Sequence, residues 1–261
     1  MDFLNEDATV FDDMLPITKS VLGEWSLFVN EDKTEYTQFY IAKKGELDGK
    51  GKPILGNEEW RVSKSLGSLL CSTADIKHRC QLGNFAFSRF KKVWLMGPKI
   101  SLSKKLKVYE AQVTSVILYN CNSWATPKNI LEKLDICQRK HLRQILKYRW
   151  PTVITNKTLY KRCKCSPLSE RVEKSRWNML GHVLRMTENS PAYLSLTFAT
   201  EQFIKMKGRI GRHRANLFDI VKSDLARRNM SLTDMNDLYN LREIASDRNH
   251  WRKLFTFEET D

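Results

Sequence analysis

The chain has 261 residues, of which 41% are hydrophobic and 28% charged, and its formal net charge is +14. A chain of this length can bury the core of one large domain or two small ones. No segment approaches the ~18 unbroken apolar residues of a transmembrane helix, and the acidic N-terminus lacks the basic start of a secretion signal. We therefore expect neither a membrane partner nor secretion, and a nuclear or cytoplasmic location.

The first 70 residues of the chain are predicted to mix a helix with short strands. Periodic apolar residues predict a helix over 8–24, and two apolar runs around a polar turn predict a strand pair over 26–41. The glycine-rich stretch 43–57 reads as a surface loop. A second short strand pair is predicted over 59–70, with Gly67 at its bend.

From residue 73 onward the apolar spacing becomes helical. A Gly/Arg-rich segment at the end of 198–214 is predicted to be a loop. The fold class expected is α+β, mainly α, with a small antiparallel β part followed by helices. The predicted helices span 73–96, 103–122, 127–148, 155–163, 167–186, 214–229 and 231–254.

The positive charge is concentrated in the middle of the chain. Residues 1–60 hold 6 Lys and Arg against 13 Asp and Glu, whereas 61–150 hold 18 against 4, and 151–261 hold 20 against 13. A basic region of this kind favours a polyanion such as nucleic acid as partner. The alternative is a basic helix face that only contacts water.

Two segments interleave cations with aromatic residues: RFKKVWLMGPKISLSKKLKVYE (89–110) and CQRKHLRQILKYRW (137–150). Helices of this composition can lay Lys and Arg along a phosphate backbone without reading the bases. The alternative is that the apolar residues form core while the lysines face solvent, and both can hold on one helix. The candidate nucleic-acid-binding residues are Lys64, Arg89, Lys91, Lys92, Lys104, Lys105, Lys107, Arg139, Lys140 and Arg143.

Metal chemistry has weak support in the sequence. The six cysteines show no framework and are expected to be reduced thiols. Cys163-Lys-Cys165 and the Cys137/His141 pair lack the spacing of a structural zinc site. Asp12-Asp13 is interpreted as a pair of first-turn acids that complement a helix dipole, not as a two-metal centre. No metal site is predicted.

Several segments resemble, in the same order, the end of a reverse transcriptase palm. They are Asn30-Glu-Asp-Lys33-Thr34, the turn Leu66-Gly67-Ser68, and ADIKHR (74–79). Further segments look like the C-terminal part of LINE-type non-LTR retrotransposon endonuclease–reverse transcriptases. These are VYEAQVTSVILYNCNSW (108–124), LEKLDICQRKHLRQIL (131–146), RWNMLGHVLRM (176–186), GRHR (211–214) and ASDRNHWRKL (245–254).

This resemblance implies a palm and primer-grip part over 1–70, a helical thumb-like part over 71–150 and a C-terminal helical region over 151–261. It implies that Lys33 lies beside the incoming nucleotide's phosphates in an intact enzyme, and that Leu66, Gly67 and Ser68 form the primer-grip turn. Mg²⁺ is expected only in that intact enzyme, since the family's catalytic Tyr-x-Asp-Asp hairpin would precede this segment.

The expected function is therefore that of a truncated RNA-directed DNA polymerase that does not polymerise alone. At most, it would bind an RNA or RNA/DNA primer–template, structured RNA or possibly DNA, with no small-molecule substrate. Two alternatives stay open. The chain could be a helical protein-interaction module, or a non-functional pseudogene product.

Overall fold

The computed structural model describes residues 9–30, 34, 64–205 and 216–255. These residues are mainly α-helical, which confirms the mainly α part of the predicted α+β class, whereas the small β palm part stays a prediction. Contacts divide the chain into two units, Met1–Cys71 and Ser72–Asp261. Within the described part of the chain, no helix is both long and apolar enough to cross a membrane.

The described part of the first unit contains one helix and one hairpin. Helix α1, Val10–Glu24, confirms the predicted helix, and its first turn holds the two acids expected there. Strands β1, Lys64–Ser65, and β2, Ser68–Leu69, pair antiparallel. Their two connecting residues, Leu66 and Gly67, have φ of 48° and 82°. Two consecutive positive φ values are typical of a tight hairpin turn, so the bend predicted at Gly67 is confirmed.

Other expectations for the first unit fall outside the described residues. The loop predicted over 43–57 lies there entirely, as does most of the strand pair predicted over 26–41. Residues 26–30, the described start of that pair, form no strand, so the prediction is wrong for this short stretch. The Gly/Arg-rich loop predicted before residue 214 also lies outside the described residues.

The second unit is a set of helices joined by short connections. Helix α2 begins one residue before the predicted start and continues into a π-helical turn, Lys91–Leu95. The helices are α2 (Ser72–Phe90), α3 (Leu102–Tyr109), α4 (Ser115–Ile117), α5 (Lys128–Ile145), α6 (Asn156–Cys163), α7 (Leu168–Leu184), α8 (Pro191–Lys205), α9 (Leu217–Ala226), α10 (Met235–Ser246) and α11 (Arg248–Lys253).

Three differences from the predicted helices have local causes. The helix predicted over 103–122 is divided by a π-helical turn, Glu110–Thr114, and ends before Asn120, whose φ is 56°. The helix predicted over 231–254 is divided at Asp247, whose carboxylate caps α11 by accepting two backbone N–H bonds. Helix α8 was not predicted, although Pro191 at its first position is a known helix-start signal.

The first hydrophobic core lies among α2, α3, α4, α5, α6 and the start of α7. Its largest fully buried side chain is Trp124, which is 1% exposed. The Trp124 indole donates a hydrogen bond of 2.8 Å to the Asp75 carboxylate, which is itself fully buried. A buried carboxylate is costly without partners, so this bond fixes the first turn of α2 against the connection before α5.

The second core lies between the end of α7 and helices α9, α10 and α11. Trp177 and Trp251 stack with their ring centroids 4.2 Å apart and their planes at 8°. Each indole N–H donates to the backbone carbonyl of the other tryptophan, at 2.9 and 3.0 Å. A side chain on Gly181 would collide with this pair, because its Cβ would stand 2.3 Å from Trp251 Nε1.

A buried charge network joins α7 to α9. The Asp224 carboxylate accepts a hydrogen bond of 2.7 Å from Arg176 and a further one from Arg227. Arg227 also contacts both carboxylate oxygens of Glu173 at 3.1 Å. Arg176 and Asp224 are only 3% and 5% exposed, so the Arg176 charge is compensated by Asp224, while Asp224 is shared between Arg176 and Arg227.

Candidate nucleic-acid interface

The exposed cations predicted at the end of α2 and along α3 lie on neighbouring elements. The π-helical turn Lys91–Leu95 packs against α3, which places the two groups side by side. We call this group the basic surface; its exposed members are Arg89, Lys92, Lys104 and Lys107. Cations on adjacent helix turns can contact successive phosphates of a nucleic-acid backbone.

Not every predicted cation belongs to that surface. Lys105 is 7% exposed, because it falls on the buried side of α3 with Tyr109. Arg143 is half-buried, and its guanidinium donates to the side chain of Asn156 at 2.7 Å and to the carbonyl of Ile154 at 3.5 Å. We therefore leave Lys105 and Arg143 out of the interface. Lys91 and Arg139 are half-buried.

A groove of about 400 Å³ runs between α2 and α5. Three lysines line it, and among the described residues that form its wall there is no carboxylate. Lys140 was predicted from the sequence, whereas Lys77 and Lys133 were missed. Lys133 lies seven residues before Lys140, about two helical turns, and this spacing could have found it. The remaining lining residues are Thr73, Ile76, Cys80, Gln81, Asn84, Ile130, Ile136 and Cys137.

His141 links the groove to the basic surface. It is 2% exposed and stacks on Phe87 at 4.2 Å. Its Nε2 lies 2.8 Å from Asn84 Oδ1 and its Nδ1 lies 3.2 Å from the Tyr109 hydroxyl. One tautomer satisfies both contacts, with Nε2–H donating to the amide oxygen and Nδ1 accepting from the phenol.

The His141 ring is held neutral. Burial is the main cause that lowers its pKa from 6.5 to about 4, and the charges of Lys140 and Lys91 lower it further. Both ammonium groups therefore lie near the same buried ring, one from α5 and one from the turn after α2. A neutral, doubly hydrogen-bonded histidine packs these elements together and does not add to the positive charge.

The remaining candidates belong to the first unit. Lys33 lies outside the described residues. The Thr34 hydroxyl donates to the carbonyl of Asn30 at 3.0 Å. Lys64 is exposed at β1, and in the hairpin turn Leu66 is 86% exposed whereas Ser68 is 5% exposed.

The turn flanked by Lys64 therefore presents an exposed leucine tip. The predicted primer-grip role of Leu66, Gly67 and Ser68 stays a prediction, since the described residues include no nucleic acid or adjoining palm strand.

The described residues contain no group of three or more His, Cys, Asp or Glu side chains arranged to hold a metal ion. No protein-family model, curated protein or solved structure matches the chain.

Proposed function

We propose that the chain binds the backbone of a primer–template duplex or structured RNA through the basic surface and the lysines of the groove. The observation that supports this proposal is that most carboxylates of residues 61–150 have partners within the protein. Asp75 accepts a hydrogen bond from the Trp124 indole, and Asp135 accepts two from Ser169. Glu110 is paired with an arginine of α7. Three of the four carboxylates of this region thus have a partner within the protein, while ten of its twelve lysines are exposed.

The basic surface therefore keeps its positive charge, because most carboxylates of this region are occupied by partners within the protein. Binding of this type depends on the release of counterions from phosphates, so it is tolerant of sequence and weakens steeply with salt. The resemblance to LINE-type reverse transcriptases supports the same partner, since α2 and α3 would then belong to the thumb. Polymerisation by this chain alone is not part of the proposal.

The test is fluorescence anisotropy with a labelled RNA hairpin and a labelled RNA/DNA duplex, at salt concentrations from about 50 to 200 mM. The informative variant is the triple substitution K92Q/K104Q/K107Q in the basic surface. The matched control is K157Q/K161Q/K174Q, which removes the same charge from exposed lysines of α6 and α7. Both variants should keep the circular dichroism of the parent, because all six side chains are exposed.

The expected result is a loss of affinity confined to the first variant. Its slope of log affinity against log salt should fall by about one for each lost phosphate contact. Equal losses in the two variants would mean that only net charge matters, and the proposed surface would be wrong. Affinity that does not change with salt would reject the backbone-binding mechanism itself.

Protein binding is a second candidate function, and one observation favours it. Helix α1 has no buried residue, and its apolar positions Ile17 and Val21, one turn apart, are 62% and 51% exposed. An exposed apolar stripe of this kind is typical of a protein-contact face. Self-association that persists at high salt in light scattering, and disappears in an I17K/V21K variant, would favour this function over nucleic-acid binding.

A further inference from the structure

Two thiols from different helices meet at the wall of the groove. Cys80 lies on α2, one turn before Asn84, so both side chains point to the same side of that helix. Cys137 lies on α5, and its sulfur is 3.6 Å from Asn84 Oδ1. Both cysteines line the groove, whose volume of about 400 Å³ is large enough for a molecule the size of hydrogen peroxide.

The two thiols differ in reactivity. A hydrogen bond from the Cys80 thiol is the main cause that lowers the pKa of Cys137; burial opposes it, and the charge of Lys140 adds to it. The same contact, together with burial, raises the pKa of Cys80. Since the thiolate is the form that attacks oxidants, Cys137 is the nucleophile of the pair and Cys80 is the resolving thiol.

We infer that Cys80 and Cys137 form a peroxide-sensitive dithiol site that closes to a disulfide between α2 and α5. The Cys137 thiolate attacks hydrogen peroxide, the O–O bond breaks, and a sulfenic acid and hydroxide form. The Cys80 sulfur then attacks the sulfenic sulfur and expels its oxygen as water. In total two thiols and one peroxide give one disulfide and two waters, and the two sulfurs supply the two electrons.

The closed disulfide would tie together residues 57 positions apart. In the chain-entropy account, a loop of that length lowers the unfolding equilibrium constant by about a thousandfold. The bond would also fix the spacing of the two helices that carry the groove lysines. This inference stands on the thiol pair alone and does not depend on nucleic-acid binding.

A second cysteine pair, Cys163 and Cys165, serves as a control, because its thiols are in contact but Cys163 does not line the groove. Cys163 and Cys165 also share a hydrogen bond, which lowers the pKa of Cys163. They are separated by a single residue, Lys164, whose φ is 49°. Cys163 is 3% exposed within the first core and is not a residue of the groove wall. A hydrogen bond between two thiols is therefore found in both cysteine pairs. The position at the groove wall distinguishes Cys80 and Cys137 from Cys163.

The experiment exposes the full chain to stoichiometric hydrogen peroxide, blocks free thiols by alkylation and digests the product with trypsin. The expected product is a crosslink of the peptides Cys80–Arg89 and Leu134–Arg139, two hydrogens lighter than their sum. It should form in the C165S variant and be absent from C80S. In C80S, Cys137 should instead be recovered as sulfenic or sulfinic acid.

Several results would overturn the inference. Recovery of Cys80 and Cys137 as separately alkylated thiols would do so, as would sulfinic acid at Cys137 in the parent chain without the crosslink. An equal crosslink yield in urea would show that the folded groove plays no part. The parent chain supplies these results directly, so a variant that fails to fold does not remove the test.

Discussion

Replacing Gly181 by alanine tests whether the second core closes around the contact between α7 and α11. An added Cβ would lie 2.3 Å from Trp251 Nε1 and 2.6 Å from its Cδ1. Ordinary contacts between such atoms are about 3.5–4.0 Å, so the Trp251 ring would have to move by more than about 1 Å. Trp251 is 1% exposed, and the space around it is already filled.

The cost of the substitution can be worked from these contacts. Overpacking of a filled core costs about 1–3 kcal/mol, and weakening the two reciprocal indole hydrogen bonds costs about 1 kcal/mol each. Alanine regains about 1 kcal/mol over glycine in a helix interior. The free energy of unfolding should therefore fall by about 2–4 kcal/mol.

Urea denaturation followed by near-ultraviolet circular dichroism measures this change, because the stacked Trp177–Trp251 pair dominates the second core. With a slope of about 3 kcal/mol per molar urea, the midpoint should move down by about 1 M. Gly23→Ala is the matched control, since nothing lies within 4 Å of its added Cβ. If Gly181→Ala and Gly23→Ala shift the midpoint equally, the reasoning about Trp251 is refuted.

Three further predictions concern buried charge, pH and helix capping. Asp224→Asn removes the charge that compensates Arg176 and should cost about 3–5 kcal/mol in urea denaturation; a loss below about 1 kcal/mol would contradict a buried pair. The folded pKa of His141, about 4, lies below its unfolded value of 6.5, so stability is complete above pH 6.5 and declines as pH falls toward 4. The free energy of unfolding should be about 2 kcal/mol lower at pH 5 than at pH 8, and His141→Asn should reduce this difference. An unchanged pH dependence in the variant would show that another group is responsible. Asn216→Ala breaks the capping box with Asp219 at the start of α9 and should cost about 1 kcal/mol, whereas Asn216→Asp should cost little.

Helix positions were predictable because buried residues recur at helical spacing. The same rule also identifies the one misplaced cation of α3. Lys105, Tyr109, Val113 and Ile117 are buried at intervals of four residues, so the sequence itself places Lys105 on the inner side. Its charge alone favours a phosphate contact, whereas its position on the helix favours burial of its alkyl stem.

The groove was not predictable from local pattern. Its wall combines residues of α2 with residues of α5, and the pairing of Cys80 with Cys137 depends on how these helices pack. Apolar spacing shows that each helix has a buried side, but not which helix it meets. The engagement of the Asp75 and Asp135 carboxylates was hidden for the same reason, since their partners lie 49 and 34 residues away.

The reciprocal bonds of Trp177 and Trp251 have a consequence for the evolution of such chains. These residues belong to two short signatures of the sequence, 74 positions apart, that meet in one packing unit with Gly181. The presence of one segment in a chain is therefore not independent of the presence of the other, because selection on the shared packing contact would keep or lose both together. In related chains, a larger residue at the position of Gly181 should be accompanied by a smaller one at the position of Trp251.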